Sequence, residues 1–176
     1  MEGTETMTRR KAPPTVVRLE RVIAARPREV YRAWLDPGLL RCWLAPGGMT
    51  VRLAEVEARA GGHFRIWHVE SGADVGGFDC EIVELVPDKR IVFRWGFVGP
   101  ERTAGAVFDS VLTITLHPVR GGATRLTLIH GRLEDLSAAM PYIADNVQVG
   151  WELVLDKLAV TLGSTVRHTS TPSRSV

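Results

Sequence analysis

SAAMPYIADNVQVGWELVLDKLAVTL, residues 137–162, is the longest stretch of the chain with a sustained helical hydrophobic period. Ile143, Val147, Trp151, Val154, Leu155, Leu158 and Leu162 recur at steps of three and four and share one face, while Asp145, Gln148, Glu152 and Asp156 share the other. The spacing predicts an amphipathic helix of roughly seven turns. Ser137 reads as its N-cap, Pro141 falls in its first turn, and Gly163 reads as its C-terminal stop. Gly150, beside the apolar stripe, is expected to mark a close contact with a sheet. Such a helix needs a large apolar surface to cover.

The preceding residues supply one. Thr15–Ala25 alternates and is β-branched, as a strand requires. Pro27 opens a short helix that Asp36-Pro37 breaks, and a second runs over Gly38–Leu44 until Pro46-Gly47-Gly48. From Met49 the period changes to two, predicting strands over Met49–Arg59, His63–Glu70, Phe78–Val86, Ile91–Val98, Val107–Pro118 and Ala123–Leu133. SGADVGG (71–77) and GPERTAGA (99–106) read as loops. The predicted order is one strand, two short helices, six antiparallel strands and the long helix, an α+β architecture occupying 15–162, with tails at 1–14 and 163–176.

One helix does not fill a curved sheet of that size, so a pocket is expected in the gap, with its mouth near the short helices and loop 99–106. The inward faces that would line it carry Phe64 and Ile66, then Phe78, Cys80 and Ile82, then Phe93 and Trp95, then Leu112 and Ile114. The helix adds Val147, Trp151 and Val154, and Trp43 would roof the mouth. Aromatic residues at period two usually belong to the core, so some serve packing and others line whatever space remains. Trp34 and Trp43 are expected to anchor the short helices, and Arg65, Glu81 and Arg94 to face solvent.

Composition narrows the partners. Of the net charge of +2, the ends carry +1 and +2, leaving the body at −1, which argues against a nucleic-acid footprint. No apolar run spans a membrane and the N-terminus lacks a signal-peptide core, so a soluble, cytoplasmic protein is expected. Cys42 and Cys80 form no metal or disulfide pattern and read as buried small side chains. Nucleophile-elbow, phosphate-loop, zinc-helix and dinucleotide motifs are absent, so no metal or other cofactor is expected. His68 and His130 each continue an apolar face, placing them as an acid and a base if the protein is an enzyme. The alternative is a strand histidine hydrogen-bonded to backbone or water. A two-histidine metal site would need a third ligand, for which Glu55 or Glu57 is the only suggestion.

The ordered set RAWLDPGLLRCWLAP, AGGHFR, IVFRWGF, TRLTLIHG and GWELVLDKL, spread over nearly all of 15–162, resembles the helix-grip fold of the START and Bet v 1-like superfamily. Within it, the chain is similar to proteins homologous to the C-terminal domain of the Hsp90 ATPase activator. The resemblance implies a curved antiparallel sheet gripping the C-terminal helix. It also implies three kinds of function: carriage of a small hydrophobic or aromatic molecule, polyketide-cyclase-like or dehydratase-like catalysis, and partnership with Hsp90. The activator resembles this chain over its second domain alone. Ligand binding takes priority, catalysis by His68 and His130 comes second, and a protein partner third. The sequence leaves the oligomeric state open.

Overall fold

In the computed structural model, which describes residues 14–101, 106 and 109–168, an edge strand β1 (Val16–Ile23) leads into two short helices. α1 (Pro27–Ala33) begins on a proline whose missing N–H costs nothing there, and the Arg26 N–H is met by Glu29 Oε2 at 2.8 Å. α2 (Pro37–Trp43) is capped by Asp36, whose Oδ1 accepts from the backbone N–H groups of Gly38 and Leu39 at 2.8 and 3.2 Å. The bond from Leu39 is the main reason that the Asp36 carboxyl sits below its ordinary value.

The sheet then builds as β2 (Thr50–Val56), β3 (His63–Glu70), β4 (Ala73–Val86), β5 (Arg90–Trp95), β6 (Phe97–Val98), β7 (Ser110–Val119) and β8 (Ala123–Gly131). Its spatial order is β1-β8-β7-β5-β4-β3-β2, antiparallel throughout, with β6 paired to β4. The α+β architecture expected from the sequence is therefore present: a curved sheet closed on one face by helices.

Two local readings are corrected by backbone chemistry. SGADVGG is not a loop: Ser71 and Gly72, both at positive φ (50° and 82°), make a two-residue hairpin, and β4 begins at Ala73. A side chain on Gly77 would collide with the Ile66 carbonyl oxygen and one on Gly76 (φ 104°) with that of Val98, so these glycines let β3, β4 and β6 close together. The single strand expected over Ile91–Val98 is interrupted at Gly96, whose carbonyl accepts from the Asp79 N–H at 3.0 Å while β6 continues along β4.

The long helix also differs at both ends. Pro141 disfavours helical geometry at the residue before it, and Met140 (φ −139°, ψ 69°) breaks the chain into α3 (Glu134–Ala139) and α4 (Pro141–His168). Ser137 lies inside α3 and donates to the Leu133 carbonyl rather than capping α4. α4 passes through Gly163 without stopping, and no atom lies within 4 Å of where a Gly150 side chain would begin, so Gly150 is not a sheet contact. No described helix is long and apolar enough to cross a membrane.

The predicted inner faces are buried. Ala144, Val147, Trp151, Val154, Leu155, Leu158 and Leu162 of α4 pack on Phe64 and Ile66 of β3, Cys80 and Ile82 of β4, Ile91, Phe93 and Trp95 of β5, and the leucine and isoleucine rows of β7 and β8. Cys42, by contrast, is exposed on α2.

Two glycine substitutions test this account with opposite signs. Gly77→Ala is expected to cost about 2 kcal/mol or more through forced separation of β3 and β4, and Gly150→Ala to add about 1 kcal/mol. Urea unfolding of the two variants checks both, and equal effects would contradict the assignment.

Candidate functional site

β8 turns His130 inward, and every polar atom of its ring is engaged. The Trp151 indole N–H of α4 donates to His130 Nδ1 at 3.0 Å. That fixes the tautomer: Nδ1 accepts, so Nε2 carries the proton and donates to Ser110 Oγ at 3.0 Å. Ser110 in turn donates to the Trp95 carbonyl at 2.6 Å. One chain of hydrogen bonds thus joins α4 to β8, β7 and β5. Burial pushes the His130 imidazole down to about 3, and the ring stays neutral across the physiological range.

His68 occupies a different setting. It belongs to β3, four strands from β8, and its Nε2–H donates to the Leu44 carbonyl at the end of α2 at 2.7 Å. Its ring stands edge-on to Phe78, with centroids 5.0 Å apart. Burial lowers its basicity most, the Leu44 carbonyl works the other way, and Lys157 lowers it further. Lys157 reaches from α4 to the carbonyls of Ala45 and Gly47 at 2.5 and 2.8 Å, fastening the segment after α2 to the long helix. The two histidines therefore do not meet as a pair. His130 is bound into the scaffold through both nitrogens, whereas His68 retains Nδ1 as an acceptor.

Between these points lies a continuous aromatic cluster. Trp95 sits 4.7 Å from Phe78, 5.2 Å from Trp151, 5.5 Å from Phe93 and 5.7 Å from Phe64 between ring centroids. Trp34 lies 4.8 Å from Trp43 and 6.1 Å from Trp151. These contacts fill the gap with side chains. Phe64, Ile66, Ile82, Phe93, Trp95, Leu112 and Ile114 have no exposed surface, nor does Trp43, which hydrogen-bonds to the Ala33 carbonyl beneath the surface instead of roofing a mouth. Cys80, Val147 and Val154 are buried with them.

Solvent reaches the cluster from one side. Phe78 is half-buried, and His68, Phe97, Val98, Val147 and Trp151 each keep 4–7% of their surface exposed. This edge borders the end of β6; residues 102–105 of the expected mouth loop fall outside the described residues. Two donors in the cluster stand out: the indole N–H groups of Trp34 and Trp95 are buried and have no hydrogen-bond partner among the described residues. A groove of roughly 530 Å³ lies elsewhere, on the outer side of α1 against Asp88, and includes none of the expected lining residues.

The sequence places Phe97 on the inward row with Ile91, Phe93 and Trp95, but gives no role to Ser110, Val98 or Lys157. Ser110 carried a usable signal, as the one polar residue on the inward row Ser110, Leu112, Ile114, Leu116. Among the described residues no three His, Cys, Asp or Glu side chains gather in a way that would hold a metal ion, and Glu55 and Glu57 do not join either histidine of the site.

The family model described as activator of Hsp90 ATPase homolog 1-like protein matches residues 24–163. Protein CV1439 from Chromobacterium violaceum is 35% identical, with a TM-score of 0.70 over 85% of this chain and 98% of that one. Protein MLL2253 from Mesorhizobium loti is 27% identical, with a TM-score of 0.63 over 85% and 98%. DynU16, described as a putative protein in the dynemicin biosynthetic locus, is 22% identical, with a TM-score of 0.61 over 87% of this chain and 49% of that one. No curated protein matches the chain.

The buried imidazoles predict an acid-sensitive fold. An unfolded histidine takes up a proton near pH 6.5 while folded His130 does not until about 3. Stability is therefore full above pH 6.5 and falls as the pH drops, by about 1.4 kcal/mol per unit for that ring; His68 acts in the same direction. Urea midpoints between pH 6.5 and 5, above the carboxylate range, should show this slope. His130→Gln should reduce it while lowering stability at pH 7 by about 2 kcal/mol; an unchanged slope would assign the acid sensitivity elsewhere.

Proposed function

The chain belongs to the activator of Hsp90 ATPase homolog 1-like family, and we propose that it binds a small hydrophobic or aromatic molecule between the sheet and α4. The observation that carries this reading is the pair of unpartnered indole N–H groups, Trp34 and Trp95, inside an aromatic cluster that touches solvent at Phe78. Each buried donor left unpaired costs about 1–3 kcal/mol. A ligand bearing carbonyl or ether oxygens recovers that cost, and stacks on the rings that frame it. No formal charge is required of it, since both histidines are neutral.

Room is made by moving side chains. Phe78 and Trp151, stacked at 6.5 Å with an interplanar angle of 18°, are two of the rings of the cluster that keep solvent contact. Swinging Phe78 outward opens a flat slot against Trp151 and Trp95. The ligand class is therefore planar, largely apolar and acceptor-bearing.

Cyclase-like or dehydratase-like catalysis is the second reading. His68 favours it, because its tautomer leaves Nδ1 as a base at the solvent-touching edge of the cluster. The DynU16 likeness adds the fold alone. His130, with both nitrogens engaged, serves the scaffold in either case.

Native mass spectrometry of the purified protein, followed by thermal-shift titration with polycyclic quinones, aryl ketones, acyl compounds and matching hydrocarbons, tests the proposal. Saturable stabilisation that favours the oxygenated member of each pair is expected. Trp95→Phe should erase that preference by about tenfold in affinity, as loss of one hydrogen bond of about 1.4 kcal/mol requires. Product formation abolished by His68→Ala would establish the catalytic reading. No adduct and no shift, together with a raised Hsp90 ATPase rate, would replace both with a protein-partner role.

A further inference from the structure

α4 has a second apolar stripe, on the side away from the sheet. Tyr142, Val149, Leu153 and Val160 are 78, 52, 43 and 69% exposed. At 100° per residue they fall within an arc of about 40° directly opposite the buried face, along about 27 Å of helix. Asn146 and Asp156 complete the row. The positions 142, 146, 149, 153, 156 and 160 alternate steps of four and three, the spacing of a two-helix seam. Scattered exposed apolar residues need no explanation, but four in register along one crest do.

We propose that this crest is the contact between two copies of the chain, paired through antiparallel α4 helices about a two-fold axis level with Trp151. The row is its own complement in that arrangement alone. Tyr142 meets the second copy's Val160, Val149 meets its Leu153, and Asn146 meets its Asp156, an amide against a carboxylate. A parallel pair would set Asp156 against its own copy. Sliding an antiparallel pair by one turn would set Tyr142 or Val149 against Asp156. A contact in which residue i meets j and j meets i is what a closed two-fold dimer demands.

The neighbourhood leaves the crest clear. Arg21 of β1 holds Asp156 Oδ1 at 3.2 Å on one flank, leaving the other carboxylate oxygen for the second N–H of the Asn146 amide, whose first donates to the Tyr142 carbonyl at 2.8 Å, and Lys157 turns away on the opposite flank to the carbonyls of Ala45 and Gly47. Each sheet then lies on the outside and the two helices form the central layer. The ligand site and this seam occupy opposite faces of the same helix, so the dimer stands whether or not the ligand reading holds.

Sedimentation velocity across a concentration series reads the assembly. A reversible dimer is expected, with Leu153→Glu and Val149→Glu each raising its dissociation constant by about a hundredfold while far-UV circular dichroism stays unchanged. Geometry is read by oxidation in a Cys42→Ser background: the double variant Val149→Cys with Leu153→Cys should give disulfide-linked dimers, and Val149→Cys alone should not. A monomer at every concentration, a dimer indifferent to both glutamates, or equal cross-linking by the single cysteine would overturn the proposal.

Discussion

The hydrogen bond from the Trp151 indole to His130 is what sets the long helix in one position on its sheet. Apolar contacts alone allow a helix to settle by small shifts at modest cost, because the hydrophobic effect has no direction. A buried donor and a buried acceptor are less forgiving: misplacing them leaves both unpaired, at about 1–3 kcal/mol each. Since His130 donates its Nε2–H to Ser110, and Ser110 its hydroxyl to the Trp95 carbonyl, the constraint reaches from α4 through three strands. The packing of the aromatic cluster follows from that alignment.

The sheet answers with a constraint of its own. Gly76 and Gly77 let β3 and the short strand β6 approach β4 more closely than side chains would permit, and the interruption at Gly96 lets Phe97 turn over His130, where the rings stack at 5.9 Å. The pinch and the hydrogen-bonded chain meet at Trp95. This is also where an indole N–H has no partner among the described residues, so a polar demand stays unmet inside the apolar interior. Structures tolerate such a group when something outside the fold meets it, or when function needs it.

How far the sequence discloses this depends on how local the cause is. The period-two rows on β3, β4, β5, β7 and β8, and the helical row on α4, identify the buried faces because burial acts on each residue separately. The short helices are legible through Pro27 and Asp36 for the same reason. Gly76-Gly77 was misread as loop because a glycine required by a neighbouring strand looks, in one dimension, like a glycine required by a turn. The break at Met140 follows a local rule, the effect of Pro141 on the residue before it, yet the apolar rhythm runs on across it and hides it. Which histidine joins the scaffold and which keeps a free nitrogen is not local at all: it depends on Trp151, 21 positions downstream of His130, and on Leu44, 24 positions upstream of His68.

Four of the five tryptophans, Trp34, Trp43, Trp95 and Trp151, form a chain of neighbouring rings in the gap between sheet and helix. Excitation absorbed by any one of them passes readily to the others, so the emission of these four is governed by whichever indole has the lowest-energy surroundings. A planar chromophore inserted there drains all four at once, and a solvent molecule admitted there reddens them together. The molecule thus carries an optical gauge of whatever enters between its sheet and its long helix.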